Sequence, residues 1–463
     1  MIFRRRNRED SHDRAKRPFW LLVPFLLTIW LLSIVPGLQP AQPVTADNGT
    51  TITLESAVTE INGCETLDLY IRINDVPVEA NLYGADVRLA FDPTVLEVVA
   101  LEELDDLLKP DWIVRKEFDN DAGTVWLAWT QKNPTPPASG SGYFARVTFL
   151  ARGTQVSSPV TFSYTKLANT NGFEIPATAV NGSLTTIAPA APAVGIEILN
   201  PTTPRLSWTA VSGVDGYNIY RDTYAYFTPD LPYDTVTTPE YDDDDALGDI
   251  ADNYFYVIRS ACVNGFESDI SNRVGEFDYP LATVINSNLF NMIGLPLDST
   301  ASIVPFQASG LISYVGDGIE QVLKWDSALQ GYEGYDIFSP GFLNFPLTIG
   351  QAYLLETDSE VSTVLTLVGN VPAQGSVTFD FIIGSASACA FNSLTIPLDR
   401  TDIALASDLM ANITGVDQVL TWNVFLQGYD SYDGSGPSFL NFPVRAGHPY
   451  LVCLNNMAPA SWP

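Results

Sequence analysis

Alternation with a period of two, cut every few residues by glycine, proline, asparagine or aspartate, limits this chain more than any other feature. Leu67, Leu69, Ile71 and Ile73 fall on one face of a run, with Asp68, Tyr70 and Arg72 between them. A half-buried strand requires this, because its successive side chains point to opposite faces. From residue 47 onward the sequence is made of such short runs, rich in Val, Ile, Thr, Tyr and Phe, with few long stretches at helical spacing. The expectation is an all-β protein. A length of 463 residues exceeds one compact core and points to about three or four domains. Ala188-Pro189-Ala190-Ala191-Pro192-Ala193 reads as a semi-stiff linker, and a second boundary is expected near Phe277 to Pro280.

The last third is duplicated. Gln321-Val322-Leu323-x-Trp325 recurs as Gln418-Val419-Leu420-x-Trp422, Leu329-Gln330-Gly331-Tyr332 as Leu426-Gln427-Gly428-Tyr429, and Phe342-Leu343-Asn344-Phe345-Pro346 as Phe439-Leu440-Asn441-Phe442-Pro443. The offset is 97 throughout, and 19 of 34 positions are identical between residues 321–354 and 418–451. The front halves correspond at offset 101, Asn291 with Asn392 and Pro296-Leu297-Asp298 with Pro397-Leu398-Asp399. Agreement of this kind marks one supersecondary unit copied in tandem.

Charge and histidine content exclude whole classes of function. Against 23 Lys and Arg stand 54 Asp and Glu, a formal charge of −31, and such a polyanion repels nucleic acid. Only His12 and His448 occur, so nucleophile systems and metal sites built on imidazole have almost nothing to draw on. Paired carboxylates remain, but a hydrolase also needs a cleft, and no catalytic domain is left over. No catalytic residue, cofactor or metal is expected. The run Asp242-Asp243-Asp244-Asp245 lacks the interleaved Gly and terminal Glu of a calcium loop, so it reads as a solvated loop. His448, beside Pro449, reads as solvent-facing.

Seven basic residues between Arg4 and Arg17 precede an uncharged apolar run from Phe19 to Val35. That is the plan of a secretory signal over residues 1–46, with cleavage after Val44-Thr45-Ala46. An uncleaved N-terminal anchor is the competing reading, and the only route by which the chain would engage a membrane. Export permits disulfides. Cys389 and Cys453 are the pair expected to bridge, inside the second copy, whereas Cys64 and Cys262 fall in different modules and read as small buried residues.

Three resemblances organise the rest. Gly84-Ala85-Asp86 running into Phe91-Asp92-Pro93-x-x-Leu96, Gly140-Ser141-Gly142 leading into Val147-Thr148-Phe149, and the closing Gly182-Ser183-Leu184 come in the order of a cohesin domain. Residues 47–187 therefore resemble that family, which implies a jelly-roll-like sandwich that binds a dockerin module or another extracellular protein module. Leu206-Ser207-Trp208, Gly216-Tyr217-Asn218-Ile219-Tyr220-Arg221, Tyr254-Phe255-Tyr256-Val257 and Gly265-Phe266-Glu267-Ser268 are similar to strands of a fibronectin type III domain over 194–277, implying an immunoglobulin-like sandwich used as a spacer. Residues 281–385 and the shortened 386–463 are similar to β-rich tandem repeats of secreted bacterial proteins.

The fold expectation is thus a multidomain string of β-sandwiches, secreted or held at the cell surface. Non-catalytic binding through the cohesin-like domain is the leading function. Polysaccharide or cell-wall binding and a bare structural stalk are the alternatives. Sugar-stacking rings would be Tyr332 and Tyr335, set among Gly and Asp in an evident loop, and their counterparts Tyr429 and Tyr432. Trp325, Phe342, Phe345, Tyr353 and their counterparts are expected in the core. The acidic surface implies that association with a basic partner slows as salt rises.

Overall fold

The computed structural model describes residues 49–463, apart from 153–154, 386, 456–460 and 463. The expected signal or anchor over 1–46 lies outside the described residues. Among those described, no helix is long and apolar enough to cross a membrane. The fold is all-β, and the described residues hold two short α-helices and three 3₁₀ turns.

Twelve strands build the first module. They are β1 (Thr51–Glu55), β2 (Glu60–Asn62), β3 (Thr66–Val76), β4 (Leu82–Ala90), β5 (Leu96–Glu103), β6 (Trp112–Asp119), β7 (Thr124–Thr130), β8 (Gly140–Ala151), β9 (Ser157–Asn169), β10 (Glu174–Ile175), β11 (Thr178–Val180) and β12 (Gly182–Ile187). One sheet runs β11-β1-β3-β8-β5, and the other β2-β12-β9-β4-β7-β6 with β10 added to β9. The period-two face of β3 turns Leu67, Leu69, Ile71 and Ile73 inward to meet Val87, Leu89 and Leu127 from the facing sheet. Trp129 stacks on Phe144 with centroids 3.8 Å apart at the centre. Each aliphatic side chain so buried contributes about 1.5–3 kcal/mol relative to exposure.

The second module is a smaller sandwich. Strands β13 (Val194–Asn200), β14 (Thr203–Trp208) and β17 (Glu240–Asp242) face β15 (Gly216–Asp222), β16 (Asp234–Val236), β18 (Phe255–Ala261) and β19 (Val274–Pro280). Trp208 packs edge-on against Tyr217 over Ile219 and Ile258.

The solvated-loop expectation for the aspartate run fails at Asp243, while Asp244 and Asp245 are exposed in a turn. Asp243 is 2% exposed, accepting from Tyr256 Oη at 2.7 Å and Arg221 Nη1 at 2.8 Å. Asp242 binds Arg205 at 2.6 and 2.7 Å, and Asp244 accepts from Thr203. Only Asp243 of the four is withdrawn from water.

A disulfide joins Cys64 to Cys262 across 198 residues, which corrects the reading of both as isolated buried thiols. Asn264 Nδ2 donates beside it to Gly63 O at 2.7 Å and Ala151 O at 3.1 Å, both in the first module. Phe266 packs against the first module's core. The two turns are brought together by this apolar and polar contact, and the thiols meet as a result.

Each repeat copy is a four-stranded sheet with a helix on it. The first comprises β20 (Leu289–Gly294), α1 (Ala308–Val315), β21 (Ile319–Asp326), β22 (Gly331–Asp336), β23 (Ala352–Thr357) and the outlying β24 (Val364–Asn370). The second comprises β25 (Phe379–Asp380), β26 (Ala390–Thr395), α2 (Ala406–Asn412), β27 (Val416–Asn423), β28 (Gly428–Tyr432), β29 (Pro449–Leu454) and β30 (Ser461–Trp462). Sheet orders β20-β23-β21-β22 and β26-β29-β27-β28 are the same topology twice. The helices bury Ala308 and Leu311, and Ala406 and Leu409, one turn apart. Asp408 accepts from the amides of Leu405 and Ala404 at the start of α2, satisfying donors that a helix leaves unpaired.

The boundary expected near Phe277 to Pro280 falls inside a strand. β19 pairs with β24 over seven residues, from Val274 with Asn370 to Pro280 with Val364, so the second module and the first copy share a sheet.

Candidate functional site

The outer face of β9, β4, β7 and β6 collects the side chains best suited to recognition. Strand register sets Tyr164, Arg88, Trp126 and Glu117 in one cross-strand row, and Lys166, Asp86, Ala128 and Arg115 in the next. The alternation that sends Val87, Leu89, Val125 and Leu127 into the core turns this second set outward. Arg88 lies over Trp126 at 3.9 Å and over Tyr164 at 4.6 Å, and Arg115 approaches Trp126 at 5.0 Å. Asp86 fixes the stack by accepting from Trp126 Nε1 at 2.9 Å and from Arg88 at 3.2 and 3.3 Å. The same hydrogen bond raises the Arg88 pKa above its ordinary value, with burial opposing and the Asp86 charge adding to it.

Edge strand β6 extends this face and is exposed along its whole length. Trp112 is 58% exposed and carries the Lys132 ammonium 4.8 Å from its ring. Ile113 and Phe118 are exposed as well, but they pair with the core-facing Trp129 and Val125 and so lie on the other side of this edge strand. The outer face is therefore a surface of rings and cations, with Trp112 extending it along β6, the composition that interface cores favour in Trp, Tyr and Arg.

The opposite sheet presents a different surface. Arg146 pairs with Asp68 at 3.1 Å and with Glu102, and Arg72 with Glu55 at 3.5 Å, while Tyr143 Oη donates to Glu55. On this sheet Arg146 bridges two carboxylates without a ring beneath it among the described residues, whereas Arg88 lies on Trp126 and Tyr164 as well as against Asp86.

The ring candidates of the repeats sit otherwise than expected. Tyr332 and Tyr335 lie on β22, and Tyr429 and Tyr432 on β28, so none is in a loop. The hydroxyls of Tyr332 and Tyr429 hydrogen-bond to each other across the two copies, and burial raises both phenol pKa values. Around this contact the copies interlock reciprocally. Trp325 Nε1 donates to Phe391 O at 2.8 Å, and Trp422 Nε1 to Phe290 O at 2.7 Å. Gln330 accepts from Phe391 N at 2.8 Å, and Gln427 from Phe290 N at 2.9 Å. Every motif residue is answered by its counterpart at the repeat offset, a pseudo-two-fold contact. Tyr332 and Tyr429 are therefore spent on holding the copies together, while Tyr335 and Tyr432 pack against hydrophobic cores instead.

Cys389 and Cys453 are disulfide-bonded within the second copy. At the matching positions of the first copy, Asn288 Nδ2 donates to Glu356 Oε1 at 3.3 Å. Phe345 and Tyr353 are buried, but Phe342 and Phe439, expected in the core, are 85% and 82% exposed on short 3₁₀ turns. His448 also departs from expectation. Its ring packs edge-on against Phe277 and Tyr279, and burial, aided by Arg445, pushes its pKa down to about 4.

The Arg88, Trp126 and Tyr164 row went unmarked in the sequence. Alternation alone places Asp86, Arg88 and Trp126 outward, but which outward residues meet depends on strand order. Among the described residues no group of three or more His, Cys, Asp or Glu side chains could hold a metal ion.

Comparison with known proteins bears on this module alone. Residues 46–186 match the family model for the cohesin domain. No curated protein matches the chain. Among solved structures it is similar to the sixth cohesin of scaffoldin B from Acetivibrio cellulolyticus, in complex with a Cel5 dockerin mutant, at 16% identity, covering 30% of this chain and 99% of that one with a TM-score of 0.26. A type I cohesin–dockerin complex from Clostridium thermocellum gives 14% identity, 30% and 100% coverage and a TM-score of 0.28. A non-cellulosomal cohesin from the archaeon Archaeoglobus fulgidus gives 15%, 30%, 91% and 0.25.

Proposed function

We propose that this chain is a secreted or surface-held, non-catalytic scaffold whose first module binds a dockerin-type or similar extracellular protein module through the outer face of β9, β4, β7 and β6. The stacked Arg88, Trp126 and Tyr164, with the exposed Trp112 of β6 on the same face, carry the reading. The face offers rings and cations for a protein surface, and its Arg88 is already oriented by Asp86, so little side-chain entropy is lost on binding. The cohesin match over residues 46–186 supports the class of partner. The fibronectin type III-like second module serves as a spacer, fastened to the first by Cys64–Cys262.

The test is binding of the full chain to a panel of purified dockerin modules by calorimetry. One or more should bind, and Trp126→Ala with Tyr164→Ala should weaken the complex by about tenfold or more, as truncation of a central interface ring does. Tyr70→Ala, on the opposite sheet, should leave it unchanged. Binding lost with Tyr70→Ala and kept with Trp126→Ala would move the site to the other face, and no binding to any module would remove the reading.

A further inference from the structure

The pseudo-two-fold that pairs the repeat copies is broken on one side. Where the turn before β23 of the first copy, beside β21, meets β26 of the second, the contact is closed. Gln351 Nε2 donates to Ser393 Oγ, Thr395 Oγ1 donates to Gln351 O at 3.1 Å, and Thr395 N donates to Gly350 O at 2.6 Å. On the equivalent side, β27 meets β20 around an open cleft of about 400 Å³, a volume within the range of small-molecule sites.

Two differences set the opening apart: Tyr279 of the second module donates to Gly447 O, the counterpart of the Gly350 O that Thr395 closes on, and the lining side chains change. Duplication supplied the same backbone positions twice, so each cleft position has a counterpart at the closed contact. Ser393 is answered by Met292, Lys324 by Thr421, Ser327 by Val424, Ala328 by Phe425 and Gln351 by His448. Each change removes a charge, removes a hydroxyl or amide, or adds a ring. The residues that fasten the copies are unchanged: Trp325 and Trp422, Gln330 and Gln427, Phe290 and Phe391. The tyrosines behind them, Tyr353 and Tyr450, are kept as well.

What results is chemically distinct from the rest of this surface. In a chain with 54 acidic residues, no charged side chain lines the cleft. Phe425 stands 90% exposed at its rim, where the closed side has Ala328. Asn291 is held by Ala282 and Thr357 and offers nothing to a guest. The imidazole of His448 and the hydroxyl of Thr421 are the lining polar groups free of such bonds among the described contacts. Buried against Phe277 and Tyr279, the imidazole is neutral at physiological pH, so it can donate or accept one hydrogen bond without attracting an ion.

We propose that this cleft is a binding site for an uncharged ligand that presents an aromatic or cyclic apolar group and one hydrogen-bonding function. The group enters between Met292, Trp422 and Phe425, and the hydrogen bond is made to His448 or Thr421. An anion finds no cation in the cleft, and a polyhydroxylated sugar finds too few partners for its hydroxyls. This site is independent of the first module's sheet face.

Titration of the full, disulfide-intact chain with the neutral dye N-phenyl-1-naphthylamine tests it. Binding should saturate at one equivalent with a blue shift in dye emission. Met292→Ser with Phe425→Ala should weaken it about tenfold or more, and Thr421→Lys should do the same. Ser, Ala and Lys already occupy the equivalent positions at the closed contact, so the fold accommodates them, and an unchanged near-ultraviolet dichroism checks that. Ser393→Met, on the closed side, should not weaken binding. The sulfonated analogue of the dye should bind more weakly than the neutral one. Absence of saturable binding, equal affinity in the cleft variants, or tighter binding of the sulfonate would each overturn the proposal.

Discussion

Arg115 borders the recognition face with its guanidinium 5.0 Å from Trp126 and 3.6 Å from Glu117. It is half exposed and loosely paired, so its charge acts on an approaching partner more than on the fold. Arg88, Arg115, Lys132 and Lys166 stand against Asp86 and Glu117 on this face, a small cationic excess in a chain of net charge −31, which favours an acidic partner rather than the basic one that net charge alone suggests. Arg115→Glu should slow association of a bound dockerin module several-fold at low salt, and the difference should shrink as screening shortens the Debye length to about 3 Å near 1 M. Stopped-flow association at two salt concentrations measures it. An on-rate unchanged at low salt would place the contact elsewhere. Asp243 behaves oppositely. Buried between Arg221 and Tyr256, its replacement by Ala should cost about 3–5 kcal/mol, because Arg221 is left without its counter-charge. Urea denaturation of the full chain reads this loss in the second module's transition.

The two disulfides differ in what they hold. Cys389–Cys453 closes 64 residues inside one copy, and loop entropy values that at about 4 kcal/mol. The first copy does the same work with an Asn288 to Glu356 hydrogen bond, worth about 1 kcal/mol. Cys389→Ser with Cys453→Ser should therefore lower the second copy's melting transition while leaving the first copy's in place, as followed by calorimetry. A single unshifted profile would mean that the interlock, and not the bridge, sets the copy's stability. How much could be read from the sequence varies between these elements. Strand β3 was plain, because Leu67, Leu69, Ile71 and Ile73 alternate without interruption. The duplication was plain too, because it is a matter of identity at a fixed offset. Helices α1 and α2 were not, since eight and seven residues hold too few turns to show a 3.6-residue period. The Cys64–Cys262 bridge was hidden for another reason. Its partners are neighbours only after Phe266 and Asn264 dock on the first module, and nothing local records that docking. Tyr332 failed similarly: its setting of Gly and Asp reads as a loop, but the residue it serves, Tyr429, lies in the other copy.

Junctions of different chemistry join the modules: a disulfide between the first and second, a shared sheet between the second and the first copy, the reciprocal interlock between copies, and the packing of His448 of the second copy on Phe277 and Tyr279 of the second module. The shared sheet makes stability depend on pH. Glu276 and Asp278 lie two residues apart on β19, both buried, and each has a carboxylate oxygen without a hydrogen-bond partner. Tyr254 N and Thr366 Oγ1 satisfy the other oxygens. Burial first, and then the Asp278 charge, pushes the Glu276 pKa up to about 9, and burial also raises Asp278. A carboxyl whose folded pKa exceeds its unfolded value binds more protons folded than unfolded, so raising the pH works against folding. For Glu276 the stabilisation is full below its ordinary value of 4.5 and is lost as pH climbs toward about 9. The melting temperature of the transition that includes β19 and β24 should accordingly fall between pH 5 and pH 9. Glu276→Gln keeps the shape, removes the ionisation and should flatten that fall, with its largest stabilising effect at the alkaline end. A variant that tracks the parent chain across the whole range would show that the junction does not take up this proton, and that its two carboxylates stay charged against β24.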